Sequence, residues 1–116
     1  MYSGVDVMSM VSIEDFSRLD LRIGYVIDAE RIPGRSKVVK LKVDVGGGEI
    51  RTIVAGGGEY YTPEWFKGRL LVVLVNLEPK KIAGVESKGM ALAAMTDGKP
   101  IWLTTFEPVP PGSKIL

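Results

Sequence analysis

The sequence predicts an all-β fold closed into a small barrel. Two observations lead there. Several segments alternate apolar and polar residues with a period of two, separated by turns rich in glycine and proline. Their order is three strands, one short capped helix, then two more strands. Closure of such a set removes the exposed edges that a small sheet otherwise leaves. At 116 residues the chain is long enough for one core and too short for two.

The elements follow in order. Residues 1–12 carry no clear period and read as an N-terminal arm, with the domain proper at 13–116. Ser12 before Ile13, Glu14 and Asp15 is an N-cap signature, so "SIEDFSRL" reads as a short helix with Ile13, Phe16 and Leu19 on one face. In "LRIGYVIDAE", Leu21, Ile23, Tyr25 and Ile27 share one face at a period of two, with Arg22 and Asp28 on the other. In "KVVKLKVDV", Val39, Leu41, Val43 and Val45 likewise share a face. "IPGRS" and "GGGE" are turns, and "IRTIVA" is a third strand. "TPEWFKG" has Thr62 as cap, Pro63 at the first helical position and Gly68 as stop. "RLLVVLVNL" is apolar on both faces and reads as a central strand. "KGMALAAMT" is a fifth strand, "DGKP" a turn and "IWLTTF" a sixth, shorter strand. The tail "EPVPPGSKIL" ends in apolar residues that can pack.

This order is that of an OB fold, a five-stranded Greek-key barrel, here over roughly residues 21–95. The first helix and the sixth strand are surplus to it. They present Ile13, Phe16, Leu19, Ile101, Trp102 and Leu103, which a second copy of the chain would cover. The expectation is a homodimer with N- and C-terminal dimerisation extensions.

Composition excludes several functions. Lys plus Arg is 15 and Asp plus Glu 14, so bulk charge attracts neither nucleic acid nor membrane, and any such partner must be met by a local cluster. There is no Cys and no His, which removes disulfides, thiol chemistry, the commonest general base and the usual metal ligands. The carboxylates lack the spacing of a metal loop. An enzyme, a metal site and a cofactor are therefore not expected. The apolar run at 70–75 is too short to span a bilayer, and no signal-peptide pattern is visible, which predicts a cytoplasmic protein.

Two stretches suggest binding. Arg35, Lys37, Lys40 and Lys42 follow one another without an acid between them, and Arg51 lies on the next strand. If the strands pair, Lys40, Lys42 and Arg51 share an outer face suited to single-stranded or looped nucleic acid. The bland alternative is a solvated strand face, the usual fate of such lysines. The second stretch is the connector in "NLEPKKIAGVESKGMALAA". Asn76 offers a donor and an acceptor, Pro79 fixes the exit direction, and Lys80 and Lys81 project cations. Ser87 and Lys88 begin the returning strand, where a hydroxyl and an ammonium suit phosphate or base contacts, and Met90 adds a soft apolar surface. A long hairpin loop with ordinary lysines is the alternative. The glycine triplets at 46–48 and 56–58 lack phosphate-loop spacing and read as turns. Ser87 and Lys88, adjacent on a strand, point to opposite faces and cannot act as a catalytic dyad.

"DLRIG", "SKVVKLKVDVG", "RTIVAG", "GRLLVVLVNLEPKKIAG" and "SKGMALAA" together resemble the tRNA-binding domain family. That family includes the C-terminal domain of bacterial methionyl-tRNA synthetase, free-standing structure-specific tRNA-binding proteins, a cytokine-like domain and the CsaA-type export chaperone. The resemblance implies an OB fold, homodimer-forming extensions, and non-catalytic binding of tRNA by shape and phosphate contacts. Such a protein could serve as an accessory or β subunit of methionyl-tRNA synthetase. The chaperone branch implies binding of unfolded pre-protein segments instead, and a protein-interaction role in a synthetase complex is a third possibility. By matched position, Asn76, Lys80, Lys81, Ser87 and Met90 fall in the family's binding motif, with Lys37, Lys40 and Arg51 on adjacent strands. The chain departs from the family at Glu78, Lys80, Gly57 and Ala91.

Overall fold

The computed structural model describes residues 9–116, so the expected arm at 1–12 falls largely outside the described residues. In chain order the elements are α1 (Ile13–Ser17), β1 (Leu21–Ile32), β2 (Arg35–Asp44), β3 (Ile50–Gly56), α2 (Pro63–Phe66), β4 (Leu70–Leu74), β5 (Lys80–Ile82), β6 (Val85–Ser87), β7 (Met90–Ala91), β8 (Ala93–Thr96) and β9 (Lys99–Trp102). Five strands form one antiparallel sheet in the order β3-β2-β1-β4-β7. It curls into a nearly closed barrel of OB type. The caps expected at both helices are present: Ser12 accepts from the Asp15 N–H at 3.0 Å and Thr62 from the Trp65 N–H at 3.2 Å.

The curl is built into β1. Its first half pairs with β4, from Leu21 opposite Leu74 to Tyr25 opposite Leu70, and its second half with β2. A bulge between Val26 and Asp28 inserts Ile27 as an extra residue. The expected four-residue inner face has already broken before that bulge. Leu21 and Ile23 are buried, but Tyr25 and Ile27 turn outward while Val26 and Ala29 turn in. Gly24 sits at the change of face, where a Cβ would overlap Val43. The expected inner row of Val39, Leu41 and Val43 on β2, with Val45 just past its end, is fully buried. β3 adds Ile53 and Ala55, and Phe66 of α2 is fully buried in the same core.

Register overturns the expected common face of Lys40, Lys42 and Arg51. Lys40 lies opposite Val54 and Lys42 opposite Thr52, on the outside, but Arg51 lies opposite the buried Val43. Paired residues share a face, so Arg51 belongs to the inner one, near the barrel's end.

Two expectations at the C-terminal side also change. The fifth strand is two pieces, β7 on the barrel and β8 in a separate hairpin with β9. The chain leaves the barrel at Leu92, whose N–H bonds the Val72 carbonyl while its own carbonyl accepts from Leu103. β9 begins at Lys99 because Asp97 and Gly98 form a two-residue turn with φ of 50° and 79°. Trp102 is not surplus to the barrel. Its ring packs 5.7 Å from that of Phe66 and 6.3 Å from that of Tyr61, against the core.

The tail packs through its backbone. Gly112 and Ile115 donate to Ile23 and Leu21, and the Ile23 N–H donates to Ser113. To reach β1 the tail crosses the β2–β3 turn where Gly112 meets Gly46, so closely that a Cβ on either would lie 2.6–2.7 Å from the other's Cα. Lys114 then reaches Asp20 at 3.2 Å, beside the Asp20–Arg22 pair at 2.7 Å.

Candidate nucleic-acid interface

The connector between β4 and β7 is itself a small hairpin, here called the lip. β5 pairs with β6, Lys80 opposite Ser87 and Lys81 opposite Glu86. Ala83 and Gly84 make the turn, both with positive φ (52° and 79°), as a two-residue type I′ loop requires. Sequence reasoning reads this segment as a loop. Its strands are three residues long and carry no detectable period.

Three residues expected to contact a ligand also hold the lip to the barrel. Ser87 is 3% exposed. Its hydroxyl accepts from the Val54 N–H at 3.0 Å and donates to the Gly89 carbonyl at 3.1 Å. With the Lys88 N–H on the Thr52 carbonyl at 2.9 Å, this joins β6 to the free edge of β3 and closes the barrel. Asn76 uses both ends of its amide, accepting from the Asp20 N–H at 2.8 Å and donating to the Arg18 carbonyl at 2.6 Å, which ties the exit of α1 to the lip's root. Arg51 reaches under the lip to the carbonyls of Val75 and Lys88 and pairs with Glu49 at 2.8 Å. A guanidinium or amide held this way is fixed by orphan backbone groups at strand ends.

The remaining lysines divide into two sets. On the outer face of β2, Lys40 pairs with Glu30 at 2.8 Å, and Lys42 lies opposite Asp28, which also pairs with Lys67 at 3.4 Å. The Ala29 N–H, with Lys67 and Lys42 nearby, holds the Asp28 carboxyl below the usual range, so it stays charged and screens this face. Lys37, Lys80 and Lys81 are exposed and form no ion pair among the described residues. Lys88 reaches Glu86 at 3.7 Å. The lip's tip, Ile82 and Ala83, faces Arg35 and Lys37 across a cavity of about 310 Å³. The lip's tip thus meets Arg35 and Lys37, while Lys80 and Lys81 stand exposed behind it on β5, on opposite faces of that strand. Met90 is exposed and lines a separate groove with Lys37, Tyr60, Met95 and Trp102. Tyr60 and Met95 were not singled out by sequence reasoning. "EYYT" has no periodicity, and Met95 becomes visible only once β8 leaves the barrel.

The family model for a putative tRNA-binding domain matches residues 21–114. This chain belongs to the tRNA-binding domain family. Among relatives, the methionine–tRNA ligase of Archaeoglobus fulgidus is 51% identical over 105 residues, 90% of this chain and 16% of that protein. The chain thus spans about a sixth of the length of the ligases it matches. Solved structures agree. The methionyl-tRNA-synthetase-related protein of Pyrococcus horikoshii has a TM-score of 0.86 at 38% identity, covering 94% of this chain and all of that one. The CsaA chaperone of Bacillus anthracis has 0.83 at 34%, covering 93% of this chain and all of that one. Among the described residues, no helix is long and apolar enough to cross a membrane. For a tRNA-binding domain, the open cations on and beside the lip are the feature of this fold to test first.

Proposed function

We propose that this domain binds folded tRNA in the cytoplasm without catalysing a reaction, through the lip and the rim beside it. The observation that carries the reading is a set of exposed cations on and beside the lip, Lys80 and Lys81 on β5 and Arg35 and Lys37 across from its tip, none ion-paired among the described residues. Phosphate oxygens need such cations, and contacts to phosphate position a nucleic acid by shape rather than by base sequence. Lys88 and Met90 flank this set. Lys40 and Lys42 lend weaker support because carboxylates already face them. Asn76, Ser87 and Arg51 contribute by holding the lip rigid. The ligase relatives favour a role beside methionyl-tRNA synthetase, as a separate subunit or an appended module.

The protein acts as a homodimer in this reading. Ile13, Leu19, Ile101 and Leu103 are exposed, and Phe106 is wholly so. Apolar residues of that size in water each forgo about 1.5–3 kcal/mol. A two-fold assembly would place two lips at a fixed spacing on one tRNA. The groove at Met90 supports a second reading, capture of extended apolar peptide, as the CsaA likeness suggests.

Salt dependence separates the two. Binding of purified tRNA, measured by fluorescence anisotropy over about 50–200 mM salt, should weaken steeply as salt rises, and duplex DNA should bind less well. Equal binding to duplex DNA and tRNA would remove shape recognition. Salt-independent binding of unfolded polypeptide, with no tRNA binding, would establish the second reading.

A further inference from the structure

A groove of about 500 Å³ opens between the exit of β3, strand β7 and the β8–β9 hairpin, away from the lip's own strands. Its floor is made of small residues, Gly56, Gly57 and Ala91. A Cβ at Gly57 would lie 2.7 Å from Pro100, so glycine there lets the hairpin close against β3 while leaving the floor low. The rim is soft and aromatic. Tyr60 is 53% exposed and Met95 65%. The Lys99 ammonium stands 5.8 Å from the centre of the Tyr60 ring and 5.6 Å from that of Tyr61. Lys37 lines both this groove and the cavity under the lip's tip, so the groove continues the cationic rim.

We infer that this groove takes one unpaired nucleobase of a bound RNA, stacked on Tyr60 against Met90 and Met95, with its flanking phosphates on Lys37 and Lys99. The inference rests on the tRNA-binding reading and adds to it a part of the ligand that phosphate contacts alone do not select. The argument is one of matching chemistry along the groove. The ligand must be flat and apolar in the middle, where an exposed ring and two thioethers wait. It must be anionic beside that middle, where Lys37 lines the groove and Lys99 stands over the two tyrosine rings, both without ion pairs among the described residues. An extended apolar peptide matches the middle and leaves the cations unused. Glu59 lies in the groove wall and would repel a phosphate entering there, so the base is the part that enters.

The test uses the full chain, labelled tRNA and a short unstructured oligoribonucleotide, with Tyr60→Ala, Tyr60→Phe and Met95→Glu variants. Removing one stacking ring should weaken the oligoribonucleotide about tenfold, while Tyr60→Phe stays within about twofold of the parent. Met95→Glu, at an exposed position off the barrel, should weaken it as well. Unchanged oligoribonucleotide binding in both Tyr60→Ala and Met95→Glu, with tRNA binding intact in the parent, would overturn the groove inference alone. A parent protein that binds neither RNA would remove the tRNA reading and this inference together. A third arm titrates a permanently unfolded apolar polypeptide. Loss of polypeptide binding in Tyr60→Ala without loss of RNA binding would assign the groove to peptide and overturn the inference.

Discussion

On the outer face of β2, Lys40 reaches Glu30 at 2.8 Å and Lys42 stands opposite Asp28. On the lip, Lys80 and Lys81 pair with no carboxylate among the described residues, although Glu86 faces Lys81 in the hairpin register. The two sets are equal in number and read alike in the sequence. Their difference comes from the neighbouring strand: β1 supplies acids across from one set, while the lip's returning strand gives its one acid to Lys88. A lysine's usefulness to a phosphate depends on what already holds it, because an exposed ion pair and a phosphate compete for the same ammonium.

The comparison can be broken outright by matched charge reversals. Lys80→Glu with Lys81→Glu should weaken tRNA binding about 100-fold, from two lost charge-assisted contacts. Lys40→Glu with Lys42→Glu changes net charge equally and should cost less than about fivefold. Equal losses in filter binding would mean that only net charge matters and that the lip is not the site.

The lip's rigidity is tested next. Ser87→Ala leaves the Val54 N–H buried without its acceptor, at a cost of about 1–3 kcal/mol in urea denaturation. tRNA binding should fall with it at temperatures where the barrel is still folded. Full stability in this variant would show that the β3–β6 seam does not depend on the hydroxyl.

A gain of function sharpens the contrast further. Asp28→Asn with Glu30→Gln frees Lys40 and Lys67 from their ion pairs, removes the carboxylate across from Lys42, and should tighten tRNA binding about threefold, with a steeper salt slope. No change would show that the β2 face lies outside the path of the RNA.

The smallest effect concerns a charge that belongs to the frame. The Arg22 guanidinium, helped by Lys114, holds the Asp20 carboxyl below its ordinary 3.8, against partial burial that pushes it up. A lowered folded-state pKa gives stability that is present above the unfolded value and lost as pH falls through the folded one. Melting temperature should therefore decline below about pH 4, and Asp20→Asn should flatten that decline by a few degrees. An unchanged acid limb in the variant would mean that the pair adds nothing to folding.

How far these features could be read in advance depends on where their partners lie. The inner row of β2 was legible because each residue's fate is set by local alternation, and the helix caps because the capped N–H is three residues away. Ser87, Asn76 and Arg51 read in the sequence as ligand contacts, and the structure gives each of them partners within the fold. A polar side chain at a strand end looks the same in sequence whether it meets solvent or an orphan amide. The deciding partners are 33 residues away for Ser87 and 56 and 58 for Asn76. Arg51 depended on register, where a shift of one residue reverses the face. The inner face of β1 changes phase at Gly24, ahead of its bulge, and neither irregularity marks the local pattern beyond that glycine.

The pairing of β1 with the tail has a bearing on how the chain is made. Asp20 and Lys114 are 94 residues apart, and the backbone bonds at Leu21 and Ile23 wait for residues 112–115. During synthesis β1 emerges early and keeps one edge unpaired until the last turn of "PPGSKIL" has left the ribosome. An apolar strand with an open edge is a site for wrong pairing, and non-local closure is slow. Ribosome-bound chains truncated before Gly112 should thus be caught by chaperones far longer than chains extended past Leu116 by a flexible linker.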